Sequence, residues 1–340
     1  GAWDTITGSI EAFGRASAFA LKDLGGKDKH VRSSTESVDI LAGRNVLSEV
    51  RSKLNNSVRS YRSILGDMFS ENGSVVAIAQ DTIKPTRVEA EGHVLLFAYG
   101  SIETSLDAKN NASVITFGNF KGDIRANGAA AVLALGDVTG NVTATTKDVY
   151  VQANKYDGKI TAGGTATLEA YGGGKGEVTA TGDVFVLSYS DLAMTIRSNT
   201  GWAKVTSYGM VSNSVSAFGD VTVEGKGQVS GEIRSDTGAV SVISYGDILG
   251  PVIAKTSAEV NALGKISGSI TAQGGNAKVT AGGELTGEVH AGASISVSTR
   301  GTMAGTLTAG TVDTLGRIDV TSFGSVTGAV YGVGEVKIDT

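Results

Sequence analysis

The sequence predicts an all-β fold: a single right-handed parallel β-helix with coils of ~18 residues, plus one amphipathic α-helix packed along its side. Three observations lead there. From Glu91 to Gly332 the chain divides into thirteen consecutive units, nine of them 18 residues long, with the same residue types at the same positions. Those positions share one parity, so each unit reads as strands with a single buried face. One stretch, residues 44–70, abandons that period for steps of three and four.

The units align on an ending Gly-x-[Val/Ile]-x-[small], as in Gly140, Val142 and Ala144. Leu106, Ile124, Val142, Ile160 and Val178 hold its apolar anchor in successive units, and the series continues to Val330. A second apolar position stands ten residues earlier, with Leu96, Val114, Val132, Tyr150 and Leu168. Because 18 is even, parity survives from unit to unit. A hairpin meander would need chain reversals and Asn-Gly-type turns; here one strand pattern returns in one direction, one coil per unit. Coils stack about 4.8 Å apart, and a parallel crossover is expected to be right-handed. Large and small inward residues alternate because side chains from three sides must fill one narrow cross-section.

Taken in chain order, residues 1–12 read as the end of a coil, with Trp3 ahead of an in-phase Gly8, Ile10 and Ala12. Residues 13–43 read as a loop or irregular coils. Residues 44–70 form the predicted helix, whose face is Val46, Val50, Leu54, Val58, Tyr61, Leu65 and Met68, joined by Leu47, Ile64 and Phe69. On a helical wheel these ten share an arc of about 140°, and the helix would be roughly 40 Å long. A strand reading is the alternative, since Val46 and Val50 share parity, but it does not place all ten. Residues 71–340 complete the β-helix, and Val336-Lys-Ile338 begins a further coil. Without polar caps the chain is expected to be a segment of a longer solenoid or a subunit that stacks end to end.

The helix needs a surface to cover, and the outward positions supply one. Tyr99, Phe117, Leu135, Tyr171, Tyr189, Tyr208 and Tyr245 stand at one outward position, with Phe97 beside them. Leu95, Ile115, Leu133, Val151, Phe185, Leu187 and Ile243 add to the stripe. A contiguous apolar patch is normally covered, so the helix is expected to lie along it. Stacking of the rings between coils, or a partner molecule, are the alternative covers.

Composition narrows function by exclusion. The 340 residues include 48 Gly, 2 Pro and no Cys, which suits a turn-rich all-β chain and removes disulfides and thiolate metal sites. Net charge is −5 with interspersed signs, so no nucleic-acid partner is expected. No apolar run reaches the ~18 residues of a transmembrane segment. His30, His93 and His290 are widely separated, with no His-Glu-x-x-His spacing, and no metal or cofactor is expected. The outward carboxylates Asp123, Glu177, Glu232 and Glu288 do not fall in consecutive units, whereas a glycosidase needs two held about 5–9.5 Å apart. The chain is therefore expected not to be an enzyme. Lys27, Lys29, Arg32, Arg44, Arg51, Lys53, Arg59 and Arg62 make the N-terminal region basic, as a solvated face or a contact for acidic polymer or lipid.

The runs Gly136-Asp-Val-Thr-Gly-Asn-Val-Thr-Ala144, Gly227-Gln-Val-Ser-Gly-Glu-Ile-Arg-Ser235 and Gly264-Lys-Ile-Ser-Gly-Ser-Ile-Thr-Ala272 resemble the Gly-x-Val-x-Gly-x-Ile-x-Ala coils of bactofilins. They are also similar to the passenger coils of large bacterial exoproteins and autotransporter-like adhesins. The bactofilin resemblance implies a compact cytoskeletal solenoid that polymerises end to end. The chain departs from it in length, in the inserted helix and in its Ser/Thr/Asn-rich exterior. Those departures point to a non-enzymatic structural rod, a segment of a large bacterial cell-surface or secreted repeat protein with an adhesion or spacer role. A cytoplasmic polymerising scaffold is the alternative, and a carbohydrate-binding or -processing β-helix the third reading. The expected partners are protein, either flanking solenoid or further copies, with surface glycan as a candidate ligand.

Overall fold

Alternation of small or β-branched inward residues with outward ones continues far beyond the region where the repeat is obvious. The computed structural model describes residues 4–26, 28–310 and 315–340; Trp3 and Lys27 lie outside them. The chain forms two compact units, Gly1–Thr167 and Leu168–Thr340, and each is a parallel β-solenoid.

In the first unit, Ala16–Ala20, Val38–Ala42, Asn56–Ser60, Val75–Ala79, Val94–Ala98, Ala112–Thr116, Ala130–Ala134 and Val149–Ala153 stack in register as one parallel sheet. A second parallel sheet takes shorter strands, from Ile10–Ala12, His30–Ser33, Glu49–Ser52 and Met68–Ser70 onward to Val142–Ala144. Between them runs a ladder of bridges, Ile6, Leu24, Val46, Ile64, Ile83 and Ile102, continued by Phe120, Val138 and Tyr156. Each coil thus contributes three inward runs separated by corners. The core is a column of these side chains, with Val, Ile and Leu spaced by Ala, Ser and Thr. The described residues of 13–43 lie within these coils, with strands Ala16–Ala20, His30–Ser33 and Val38–Ala42.

The second unit repeats the plan. Strands Val184–Ser188, Ala203–Ser207, Val221–Gly225, Val240–Ser244, Ala258–Ala262, Ala277–Ala281, Ile295–Thr299, Ile318–Ser322 and Val336–Asp339 form its long-strand sheet. Leu192, Val211, Val229, Ile248, Ile266, Leu285, Met303 and Val326 form its bridge ladder.

The predicted α-helix is absent: no residue among those described is helical. Residues 44–70 are instead coil, with strands Glu49–Ser52, Asn56–Ser60 and Met68–Ser70. Val46, Val50, Val58, Ile64 and Met68 are fully buried in the solenoid core, while Leu54, Tyr61 and Leu65 are exposed at corners. The physical reason lies in the spacing. Two strand alternations span four residues, the same step as one helical turn, so Val46, Val50, Leu54 and Val58 satisfy both templates. Tyr61, Leu65 and Phe69 have the other parity: Phe69 faces outward from its strand, and Tyr61 and Leu65 stand exposed at corners.

A smaller reversal concerns Tyr150. Val149–Ala153 buries Val149, Val151 and Ala153 and points Tyr150 outward, and Val151 pairs with Val132. The corner Thr145–Asp148 is one residue longer than the corner before Ala130, and the next corner is one shorter before Tyr156. The parity slips and is restored within one coil. The restored position takes Tyr156, buried in the core with its hydroxyl donating to the Gly140 carbonyl at 3.1 Å. Burial, with Asp123 and Asp157 nearby, pushes that phenol well above its usual pKa.

Corners carry their own cross-coil device. A corner Asn or Asp accepts the backbone N–H of the coil above: Met210 donates to Asp191 at 2.8 Å, Ala239 to Asp220 at 2.8 Å, Ala129 to Asn111 at 2.9 Å and Lys159 to Asn141 at 3.2 Å. Inward Ser and Thr at strand ends do the complementary job, as Ser198 and Ser235 donate to the carbonyls of Gly182 and Gly219 at 2.7 Å. Corner backbone groups that the sheets cannot pair are thereby satisfied. Asp191→Ala, which orphans the Met210 N–H, is expected to cost about 1–3 kcal/mol. Urea unfolding would measure this, with Asp191→Asn recovering most of the loss.

Candidate functional site

With the core filled and the corners bonded, distinctive chemistry is left to the outer face of the long-strand sheet. Its outward positions are half-buried by their neighbours in adjacent coils, and the first corner residue after each strand projects further. The predicted stripe residues lie here: Phe97 on a strand, and Tyr99, Phe117, Leu135, Tyr171, Tyr189, Tyr208 and Tyr245 at the corner position. In the first unit the same corner column also holds Leu21, Gly43, Tyr61 and Gln80, of which the helix reading had concealed Tyr61.

The geometry shows what covers the rings. Tyr99 and Phe117 stack at 5.3 Å with planes 16° apart, and Phe97 meets Tyr99 edge-on at 5.2 Å and 87°. In the second unit Tyr171, Tyr189 and Tyr208 stack at 5.2 and 5.1 Å, with interplanar angles of 16° and 6°. These separations follow the coil spacing, because each ring stands on the equivalent corner one turn away. Lys226 occupies the same position between Tyr208 and Tyr245, its ammonium 3.8 Å from the Tyr245 ring centroid. A hydrogen bond to Glu224, 2.7 Å away, helps hold this lysine above its ordinary pKa.

The rings therefore cover one another, and the helix expected over them is not there. Tyr189 has both faces against neighbouring rings, although 48% of the residue is exposed. What such a stack offers solvent is ring edges and hydroxyls. A sugar stacking on an aromatic needs an open face, which only the ends of each stack provide.

The three histidines named from the sequence stand on different coils. His30 lies 2.7 Å from Glu11, His93 accepts the Asn111 N–H at Nδ1 (3.3 Å), and His290 lies 3.4 Å from Glu288. Asp123 accepts both the backbone N–H (2.9 Å) and the side-chain amide (3.0 Å) of Asn141, so it serves as a corner cap. Glu177 accepts from the Thr179 hydroxyl at 2.8 Å. Glu71, Glu103 and Glu259 are held below the usual carboxylate range by hydrogen bonds from Lys53, Lys84 and Lys278, the opposite direction from that of a general acid. Among the described residues no group of three His, Asp or Glu could hold a metal ion, and no helix is long and apolar enough to cross a membrane. The basic run is divided between faces, with Arg32 and Arg51 on the short-strand sheet and Arg44, Arg59 and Arg62 at or beside the aromatic column.

No family model, curated protein or solved structure compared with the chain matches it.

Proposed function

We propose that the chain is a non-enzymatic structural rod, a segment of a large bacterial cell-surface or secreted repeat protein that spaces or presents other modules. The observation that carries this reading is the consumption of side chains by the stack itself. Inward residues fill the core, corner Asn, Asp, Ser and Thr bond to the adjacent coil, and the outward rings stack on each other. A scaffold needs each turn tied to the next, since solenoid stability is a sum of coil and neighbour-interface terms.

A bactofilin-like polymerising scaffold is the second reading, and one observation favours it. Residues 44–70 are coil rather than an inserted helix, which removes one of the departures from that family; length and the Ser/Thr/Asn-rich exterior still separate the chain from it. Electron microscopy of the purified chain with sedimentation analysis distinguishes the two. The rod reading expects discrete particles over a wide concentration range. Smooth end-to-end filaments at neutral pH would overturn it in favour of the scaffold.

A further inference from the structure

The aromatic column has a gap, and a groove opens beside it. Gly43 occupies the corner position between Leu21 and Tyr61, which are two coils and so about 10 Å apart. The gap is enforced by the backbone, because a Cβ on Gly43 would sit 2.0 Å from the Leu21 carbonyl oxygen. One planar ring fits there at the separation of about 5 Å seen between Tyr99 and Phe117. The adjoining groove, about 780 Å³, is lined by Phe19, Leu41, Arg59, Tyr61 and Ile78, with Asp39 at one side. That volume falls in the range of small-molecule sites.

Its charge is unbalanced. Asp39 is already held by Arg15, whose guanidinium nitrogens lie 2.6 Å from one carboxylate oxygen. Arg59 stands between Leu41 and Ile78 in the two adjacent coils, and no ion pair engages it among the described residues. Arg44 and Arg62 follow Gly43 and Tyr61 at the next corner position. The groove therefore presents a free guanidinium beside an exposed ring and a ring-sized vacancy.

We infer that this groove binds a small aromatic organic anion, its ring stacked on Tyr61 over Gly43 and its carboxylate, or an equivalent acid group, paired with Arg59. The ring meets aliphatic and aromatic side chains, and the acid meets a planar donor fork suited to it.

Calorimetric titration of the whole chain with naphthoate tests the site, with naphthylmethylammonium as the charge-reversed control. Naphthoate is expected to bind saturably at one site per chain, at least about tenfold tighter than the ammonium compound. Arg59→Gln is expected to weaken naphthoate about tenfold without weakening the control, and Tyr61→Ser to weaken it severalfold. Asp39→Asn, which frees Arg15, is expected to tighten it, and this gain does not depend on a damaged variant. Arg59 and Tyr61 are exposed, so circular dichroism and unfolding midpoints should stay at the values of the unsubstituted chain. Absence of saturable binding, equal binding of the two compounds, or an affinity unmoved by Arg59→Gln and Asp39→Asn would overturn the proposal.

Discussion

Val58→Asp is expected to destabilise the chain by more than about 4 kcal/mol, whereas Leu54→Asp should stay within about 0.5 kcal/mol of the unsubstituted protein. On a helix the two residues, four apart, would share one face and respond alike. In the solenoid Val58 is 0% exposed and Leu54 is 41% exposed. Val58 sits mid-strand, paired in register with Ile40 in one coil and Ala77 in the next. A carboxylate there would have no donor in a column of hydrocarbon, and the adjacent coils would lose the contact that ties them. Leu54 sits at a corner with much of its surface in water, so a charge there stays hydrated. Urea unfolding followed by circular dichroism reads both.

Gly140→Ala is expected to cost at least about 3 kcal/mol, from a single added methyl group. Gly140 has φ of +127°, a conformation L-residues rarely adopt. Its Cβ would lie 2.1 Å from the Gly122 carbonyl oxygen one coil away. Backbone cannot yield there without spreading two coils whose strands are hydrogen-bonded on both sides. Gly122, Gly140 and Gly158 form a column of this kind, each with positive φ, and Gly158 would meet Gly140 just as Gly140 meets Gly122. Gly8→Ala is the matched control: nothing lies within 4 Å of its would-be Cβ, so the change should be neutral or slightly stabilising. Equal losses at the two positions would contradict the steric account.

Most of the solenoid was legible because parity survives an even repeat. From residue 91 onward the anchors Leu106, Ile124 and Val142 are all buried, as their pattern required. Before residue 91 the signal fails for identifiable reasons. The coils that open at Asn56 and Val75 are each one residue longer than the common unit, which breaks the phase. Arg62 and Asp81 stand where later coils have corner glycines such as Gly100 and Gly118. What remained in 44–70 was the step of four through Val46, Val50, Leu54 and Val58, which cannot separate helix from strand, and the odd steps to Tyr61, Leu65 and Phe69 then favoured a helix. At Tyr150 the error was a compensated insertion and deletion, invisible to any reading that assumes a constant count. The outward column was legible as composition, but its self-stacking, and its gap at Gly43, follow from which coil each residue stands on.

The central claim is that one coil geometry runs through residues 44–70, and the absence of native cysteine allows a direct test. Asp39 and Ser57 are in-register neighbours on adjacent coils, both outward, at a spacing of about 4.8 Å that lies within disulfide reach. Oxidation of the Asp39→Cys, Ser57→Cys double variant at low protein concentration, followed by peptide mapping, measures that register. The account predicts a near-quantitative intramolecular crosslink with the native unfolding midpoint retained. Two free thiols under those conditions, or crosslinks only between chains, would contradict it.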